Sequence, residues 1–360
     1  MKKYMKLLAC LCAATFVLTA CDDDDDPKPV IDPVEVADGV FILNEGSFYS
    51  QINGSLDYLD YATGAVSRNV FQAANGRALG GTPNNAIIVG SKLYIATQEE
   101  NRVEVVDAQT LKAISPVAVT APRELCTDGE AVYVSSYTGE VSKIDTLALK
   151  VVLKSPVVGT NLEGIAYRQG SVYVCNAWNS DYTYNTNLVK LSAQTLQKQK
   201  DITVAANPNQ LIASGDDLYL ASWGNYGDVP ATVQHIDLSD NVSVLAYATH
   251  IAFGDGRLYL VGSSYDEQWQ EVNTYNVLDL ATGAETTFTA GADIVSPVAI
   301  GVDPLSGDVF ISSRSRDENT GAASYTQDGY LVRYRADGSV VGRYNCGVSP
   351  GTLVFKSHVE

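Results

Sequence analysis

A chain of 360 residues has room for one large or two ordinary domains, and its 46% hydrophobic content is ample for a buried core. Its formal net charge is −18, from 42 acidic against 24 basic residues, which excludes electrostatic attraction to nucleic acid or to an anionic membrane surface. The 21 Tyr against eight Phe suggest many half-exposed aromatic positions.

The N-terminus reads as an export signal. Lys2, Lys3 and Lys6 form a basic start, and Leu7 to Ala20 is an apolar stretch too short to span a bilayer comfortably, so residues 1–20 are a predicted signal peptide. The stretch ends Leu18-Thr19-Ala20-Cys21, which resembles the lipobox of bacterial lipoproteins. The resemblance implies cleavage before Cys21 and lipidation of its thiol; a transmembrane anchor is the competing reading. Loss of the three lysines with the signal leaves 21 basic residues against 42 acidic, a net charge of −21. The run Asp22 to Asp26 cannot fold and stays solvated. A Cys followed by acidic residues is similar to the surface-export signal of Bacteroidetes lipoproteins, with a plain spacer as the alternative. Pro27 to Pro33 then read as a stiff, extended linker, so residues 21–37 are predicted to be a lipidated acidic and proline-bearing tether and residues 38–360 the folded domain.

From Asp38 onward one short unit recurs. An apolar-aromatic-apolar core appears around Phe41, Tyr94, Tyr133, Tyr173, Tyr219, Tyr259 and Phe310. Self-similarity at about 40–50 residues with an all-β texture is the signature of a β-propeller. Each repeat holds an inner strand, this anchor strand, a middle strand and an outer strand. The first has an anchor strand (Val40 to Leu43), a middle strand (Ser55 to Leu59) and an outer strand (Ala65 to Phe71), but no inner strand. Gly351 to Lys356, at the far end, supplies it. The predicted fold is therefore an all-β, seven-bladed propeller closed by a C-terminal strand that completes the first blade, an arrangement that removes free sheet edges.

The middle strands end in turns rich in Asp, Thr and Gly, such as Asp107-Ala108-Gln109-Thr110 and Asp279-Leu280-Ala281-Thr282-Gly283, where these residues supply turn dihedrals and local side-chain bonds. A calcium site at Asp216-Asp217 lacks the ligand spacing such loops need. Cys126, Cys175 and Cys346 remain after export and sit in apolar strand patterns, as buried thiols do; a Cys126–Cys175 bridge is the other possibility. No Cys/His spacing suggests zinc.

The loops from anchor to middle strand share one end of the ring with the approaches to the inner strands. These loops carry Trp178, Trp223 and Trp269, which are all the tryptophans of the chain, together with Phe48, Tyr49, Tyr137, Tyr182, Tyr184, Tyr226, Tyr265 and Tyr325, and Arg314 in the seventh. Large aromatics in loops either cover blade ends or stack on a ligand, and their gathering on one face favours the ligand. The inner-strand approaches add Asn84 and Asn85, Arg123 and Glu124, Glu163, Asn209 and Gln210, and His250. Amides and aromatics together suit a large neutral ligand with a flat body and many amide or hydroxyl groups. Catalysis finds little support: there are three His, and no nucleophile elbow, HExxH or phosphate loop. Glu124 and Glu163 read as partners of amides or of Arg123, and His250 either as a hydrogen-bonded channel residue or as a ligand to a bound metal centre.

The lipobox and Asp run, the LYIA, VYVS and LYLA anchors, and the opening FILNEGSFYSQINGSLDYLD resemble the YncE-like seven-bladed propeller lipoproteins of Bacteroidetes, and among them the BtuG cobalamin-binding family. The resemblance runs from Asp38 to Lys356. It implies a non-enzymatic protein, with no cofactor of its own, anchored in the outer membrane by its lipid and facing the cell exterior. It further implies that the loop face takes up cobalamin or another corrinoid and hands it to an outer-membrane TonB-dependent transporter. A glycan- or protein-binding surface propeller and, with less support, a lyase-type propeller enzyme are the alternatives.

Overall fold

Alternating apolar residues and Asp/Gly turns close each repeat into a four-stranded antiparallel sheet, and seven such sheets stand in a ring. The computed structural model describes residues 34–268 and 270–360. The expected signal peptide, the lipid site at Cys21 and the tether as far as Pro33 fall outside the described residues, as does Trp269. In order from the channel outward, blade 1 is Pro350–Val359, Glu35–Asn44, Ser55–Asp60 and Val66–Ser67. The other inner strands are Pro83–Val89, Pro122–Thr127, Asn161–Arg168, Pro208–Ser214, His250–Gly254 and Ser296–Val302, opening blades 2 to 7.

The two chain ends meet as expected. Glu35–Asn44 pairs antiparallel with Pro350–Val359, with Val40 opposite Phe355 and Ile42 opposite Leu353. The first strand begins at Glu35, inside the predicted tether, because its opening residues find partners in His358 and Val359. The outer strand of blade 1 is shorter than predicted: Val66–Ser67 pairs, then a helix, Val70–Asn75, replaces the rest of the segment ending at Phe71. Asn69 turns the chain at φ 52°, its N–H bonds to Asp57 Oδ1 at 2.8 Å, and Phe71 is buried at 1% exposure, so helix and strand compete for the same apolar anchor and the helix wins.

Among the described residues there is no single core. Seven apolar clusters lie between successive blades, and the last joins Val40, Ile42 and Leu59 of blade 1 to Phe310, Leu331 and Cys346 of blade 7. An anchor strand is sandwiched on both faces, so Leu93, Tyr94, Ile95 and Ala96 are all buried in sequence, whereas the outer strand Lys150–Lys154 alternates. This corrects the reading of Tyr as half-exposed: the anchors Tyr94, Tyr133, Tyr173 and Tyr259 are buried. The choice of Tyr over Phe is explained where the hydroxyl reaches a turn, as Tyr133 does to Asp128 at 2.7 Å and Tyr173 to Asp240 at 3.0 Å. The middle-strand turns behave as read, with Asp60, Asp107 and Asp279 each accepting a backbone N–H from the Thr three residues on, at 2.7–2.8 Å. Cys126, Cys175 and Cys346 are free thiols. Among the described residues no helix is long and apolar enough to cross a membrane.

Candidate functional site

The inner strands share a device that the sequence does not advertise. Near its start, each of six of them slips register against its anchor strand, between Pro83 and Asn85, Pro122 and Leu125, Asn161 and Ile165, Pro208 and Gln210, Pro297 and Ala299, and Pro350 and Thr352. A bulge leaves a residue unpaired and re-aims side chains. Here the re-aimed residues are Asn84, Arg123 and Glu124, Glu163, Asn209 and Val298, and all of them line the central channel. In blades 2, 3, 5 and 1 the residue just before the strand's proline is held at positive φ: Thr82 at 47°, Ala121 at 44°, Asn207 at 60° and Ser349 at 51°.

The channel, about 400 Å³, opens into a second cavity of about 660 Å³, and Glu45, Arg123, Trp223 and His250 line both. The larger cavity lies over blades 5, 6 and 7, walled by Trp223, Tyr226, Tyr265, Arg314 and Tyr325. The Trp223 indole is fixed by a 2.7 Å bond from Nε1 to the Thr249 carbonyl and sits 5.8 Å from the His250 ring. The Arg314 guanidinium lies 4.5 Å over the Tyr325 ring.

Charge is organised around Arg123. It forms an ion pair with Glu163 at 2.9 Å across two blades, donates from Nη1 to Gln98 Oε1 at 2.8 Å, and lies 4.4 Å over the Tyr137 ring. Tyr137 in turn donates to Glu163 Oε1 at 2.5 Å. Glu124 accepts from Asn85 Nδ2. Burial pushes the Glu124 carboxyl up to about 8, with Arg123 pulling the other way and Glu163 adding to the rise. Burial likewise raises the Glu45 carboxyl, opposed by Arg123 and Arg314. His250 is driven down to about 4, by burial first and then by Arg314, so its ring is neutral at pH 7. Its Nδ1 shares a 3.1 Å contact with Thr249 Oγ1.

The predicted site residues therefore separate. Asn84, Asn85, Arg123, Glu124, Glu163, Asn209, Gln210, Trp223 and His250 line the channel, and Tyr226, Tyr265 and Arg314 join the wider cavity. Gln210 is not free for a ligand: its side chain exchanges two 2.9 Å bonds with the Ile251 backbone and ties blade 5 to blade 6. Tyr137, bonded to Glu163 at the channel, meets Trp178 edge to face at 5.6 Å, and Trp178 and Tyr182 stack parallel at 5.8 Å outside the cavity. Phe48 and Tyr49 meet edge to face at the blade 1 loop tip, 62% and 96% exposed. Large aromatics are not confined to this face: Tyr61 stacks on Phe310 at the other end and donates to Asp303 at 2.9 Å. Tyr325, read from its loop as one of the face's aromatics, does wall the cavity, whereas sequence reasoning missed Glu45 as a cavity residue. Glu45 was findable, since it follows the anchor strand directly in FILNEG; its carboxyl covers Gly351, where a Cβ would come within 2.2 Å of Oε1.

Residues 38–218 match the sequence profile of a domain of unknown function, DUF5074. The chain belongs to that family. The match stops inside the anchor strand of blade 5, although the repeat continues to the last blade. No curated protein matches the chain. Among solved structures, it is similar to a quinonprotein alcohol dehydrogenase-like protein of Bacteroides thetaiotaomicron, with a TM-score of 0.63, 15% identity, and coverage of 89% of this chain and 78% of the other. Hydrazine synthase of Kuenenia stuttgartiensis gives 0.60 and 16%, over 77% of this chain and 95% of the other. AztD of Citrobacter koseri gives 0.55 and 11%, over 89% and 98%. At such identities these likenesses speak for the propeller fold alone.

Proposed function

We propose that the protein is a non-catalytic capture protein, held at the outer surface of the outer membrane by a lipid on Cys21, that binds a corrinoid such as cobalamin on its loop face. It passes the ligand to a TonB-dependent transporter. The observation that carries this reading is the mouth itself: a cavity of about 660 Å³, walled by Trp223, Tyr226, Tyr265 and Tyr325, above a channel rimmed by carboxamides and neutral or paired charges. A flat, amide-fringed ligand matches that combination of aromatic walls and polar floor. Preorganised blades lower the ordering cost of tight binding. The resemblance of the lipobox, the Asp run and the FILNEG opening to the YncE-like and BtuG lipoproteins supports the same reading. Calorimetry with cyanocobalamin is expected to give nanomolar or tighter binding; no heat and no co-elution at micromolar protein would remove the proposal.

One observation favours a second reading, a glycan-binding surface propeller. The parallel Trp178–Tyr182 pair lies outside the cavity, with Tyr182 77% exposed, and such a platform suits a sugar face. Binding on a glycan array that is lost in Trp178→Ala but kept in Trp223→Ala would favour it.

A further inference from the structure

We propose that His250 is an axial ligand: its Nε2 atom binds the metal of a flat metallo-macrocycle, a corrinoid or a haem, seated on the aromatic mouth. The inference deepens the reading above and rests on this face taking a flat ligand. The chain has three His. His235 is bonded to Asp217 at 2.6 Å and His358 to Asp38 at 2.5 Å. His250 differs. It opens the inner strand His250–Gly254 and lines both the channel and the wider cavity. Among the described residues its one side-chain hydrogen bond joins Nδ1 to Thr249 Oγ1 at 3.1 Å. The Thr249 hydroxyl has a single hydrogen and gives it to the Val261 carbonyl at 2.9 Å, a group that can only accept. Toward His250 the same oxygen therefore accepts. The neutral ring carries its hydrogen on Nδ1 and a bare lone pair on Nε2. Among the described residues Nε2 has no protein partner, and it is not one of the unpaired polar atoms sealed from solvent.

A histidine that ligates a metal almost always donates its other N–H to a fixed acceptor, and Thr249 gives His250 that anchor. Thr249 fixes the neighbouring wall as well: its carbonyl takes the Trp223 Nε1–H at 2.7 Å, and Trp223 lies 5.8 Å from the His250 ring. A bare ion does not fit, because among the described residues no three His, Cys, Asp or Glu side chains gather to hold one. The metal must arrive with its other positions filled. A planar macrocycle of a first-row metal does that, keeps an axial position for imidazole, and offers flat faces to the walls of Trp223, Tyr226 and Tyr325. The step is a ligand substitution. The bond from metal to axial water breaks, the water leaves, and the Nε2 lone pair forms the new bond. No electron is transferred, and no proton moves because Nε2 carries none.

The test uses the full chain and three probes: aquocobalamin, whose axial water exchanges; cyanocobalamin, whose axial cyanide holds that position; and ferric haem. Aquocobalamin is expected to bind several-fold more tightly than cyanocobalamin and with a shift of its visible absorption bands. His250→Gln, which removes the imidazole, should abolish the shift and bring the two corrinoids to equal affinity. In the free protein, the nitrogen resonances of the His250 ring should report Nδ1 protonated and Nε2 bare. If His250→Gln melts below the parent, the spectra and ring resonances of the parent decide alone. A shift that survives His250→Gln in a folded variant overturns the proposal, as does a ring protonated on Nε2. Corrinoids that bind equally and without a shift overturn the axial ligand and leave the corrinoid reading. A shift with ferric haem alone, lost in His250→Gln, supports the axial ligand and removes the corrinoid reading. Binding of none of the three overturns both.

Discussion

Glu124 carries a pH signature that a surface carboxylate lacks. Its carboxyl titrates near 8 in the fold, raised by burial against the pull of Arg123, and ordinarily at 4.5. The folded state therefore holds a proton that the unfolded chain has lost. The stability this contributes is fully present below 4.5 and is lost as pH rises through about 8. The channel admits solvent, so the expected loss is on the order of 1 kcal/mol. Glu124→Gln should flatten that slope in denaturant midpoints measured across the range; an unchanged slope would mean that another group is responsible. His250 has the opposite sign. Its lowered value, about 4 against 6.5, gives stability that is present above 6.5 and lost as pH falls through 4. At the same scale, Trp223→Ala should weaken corrinoid binding by about 1–3 kcal/mol, as removal of a fixed aromatic anchor does. Trp178→Ala should do much less, because Trp178 stands outside the cavity. Trp223 was legible as a site residue from its loop, whereas nothing in its neighbours announced the bond to Thr249 that fixes it.

Between elements, the bulge at the start of an inner strand and the ties between blades matter more than any single loop. Thr82, Ala121, Asn207 and Ser349 hold a positive φ before proline, a conformation that costs about 1–3 kcal/mol in a non-glycine residue and persists where the surroundings over-determine it. Pro83 and Pro122 stand plainly in the sequence. The slip of one residue that turns Asn84 and Arg123 into the channel does not, because it depends on pairing with the next strand. Blades 4 and 5 are tied by Arg168, 3% exposed, which bonds Asp240 at 3.0 Å and the Ile236 carbonyl at 2.8 Å. Lys190 and Lys200 reach the other Asp240 oxygen at 2.9 and 2.8 Å. Arg168→Ala leaves that carboxylate without its buried partner and should cost about 3–5 kcal/mol in chemical denaturation. A loss within about 0.5 kcal/mol, the range of ordinary surface changes, would show the tie to be dispensable.

For the whole molecule, closure is the decisive event. The C-terminal strand Pro350–Val359 forms the channel wall of blade 1 and covers the edge of Glu35–Asn44. Removing residues 350–360 should abolish a single cooperative melt and drive aggregation through the exposed edge. A variant that stays monomeric and melts sharply would show that the ring closes by packing alone. The lipid proposal belongs to this scale too: Cys21→Ala should move the protein from the membrane fraction to the soluble one.

The sequence by itself determined the number of blades, the strand order within them and the closure by both chain ends. Each of these follows from a local period of apolar residues and Asp/Gly turns. Only the tertiary structure decided which loop residues meet. It separated the Trp178–Tyr182 stack from the Trp223 cavity, assigned Gln210 to a strut between blades, brought Glu45 over Gly351, and gave Glu124 and His250 their displaced titrations. Those outcomes depend on burial and on partners tens of residues away in the chain, and neither is encoded in a repeat.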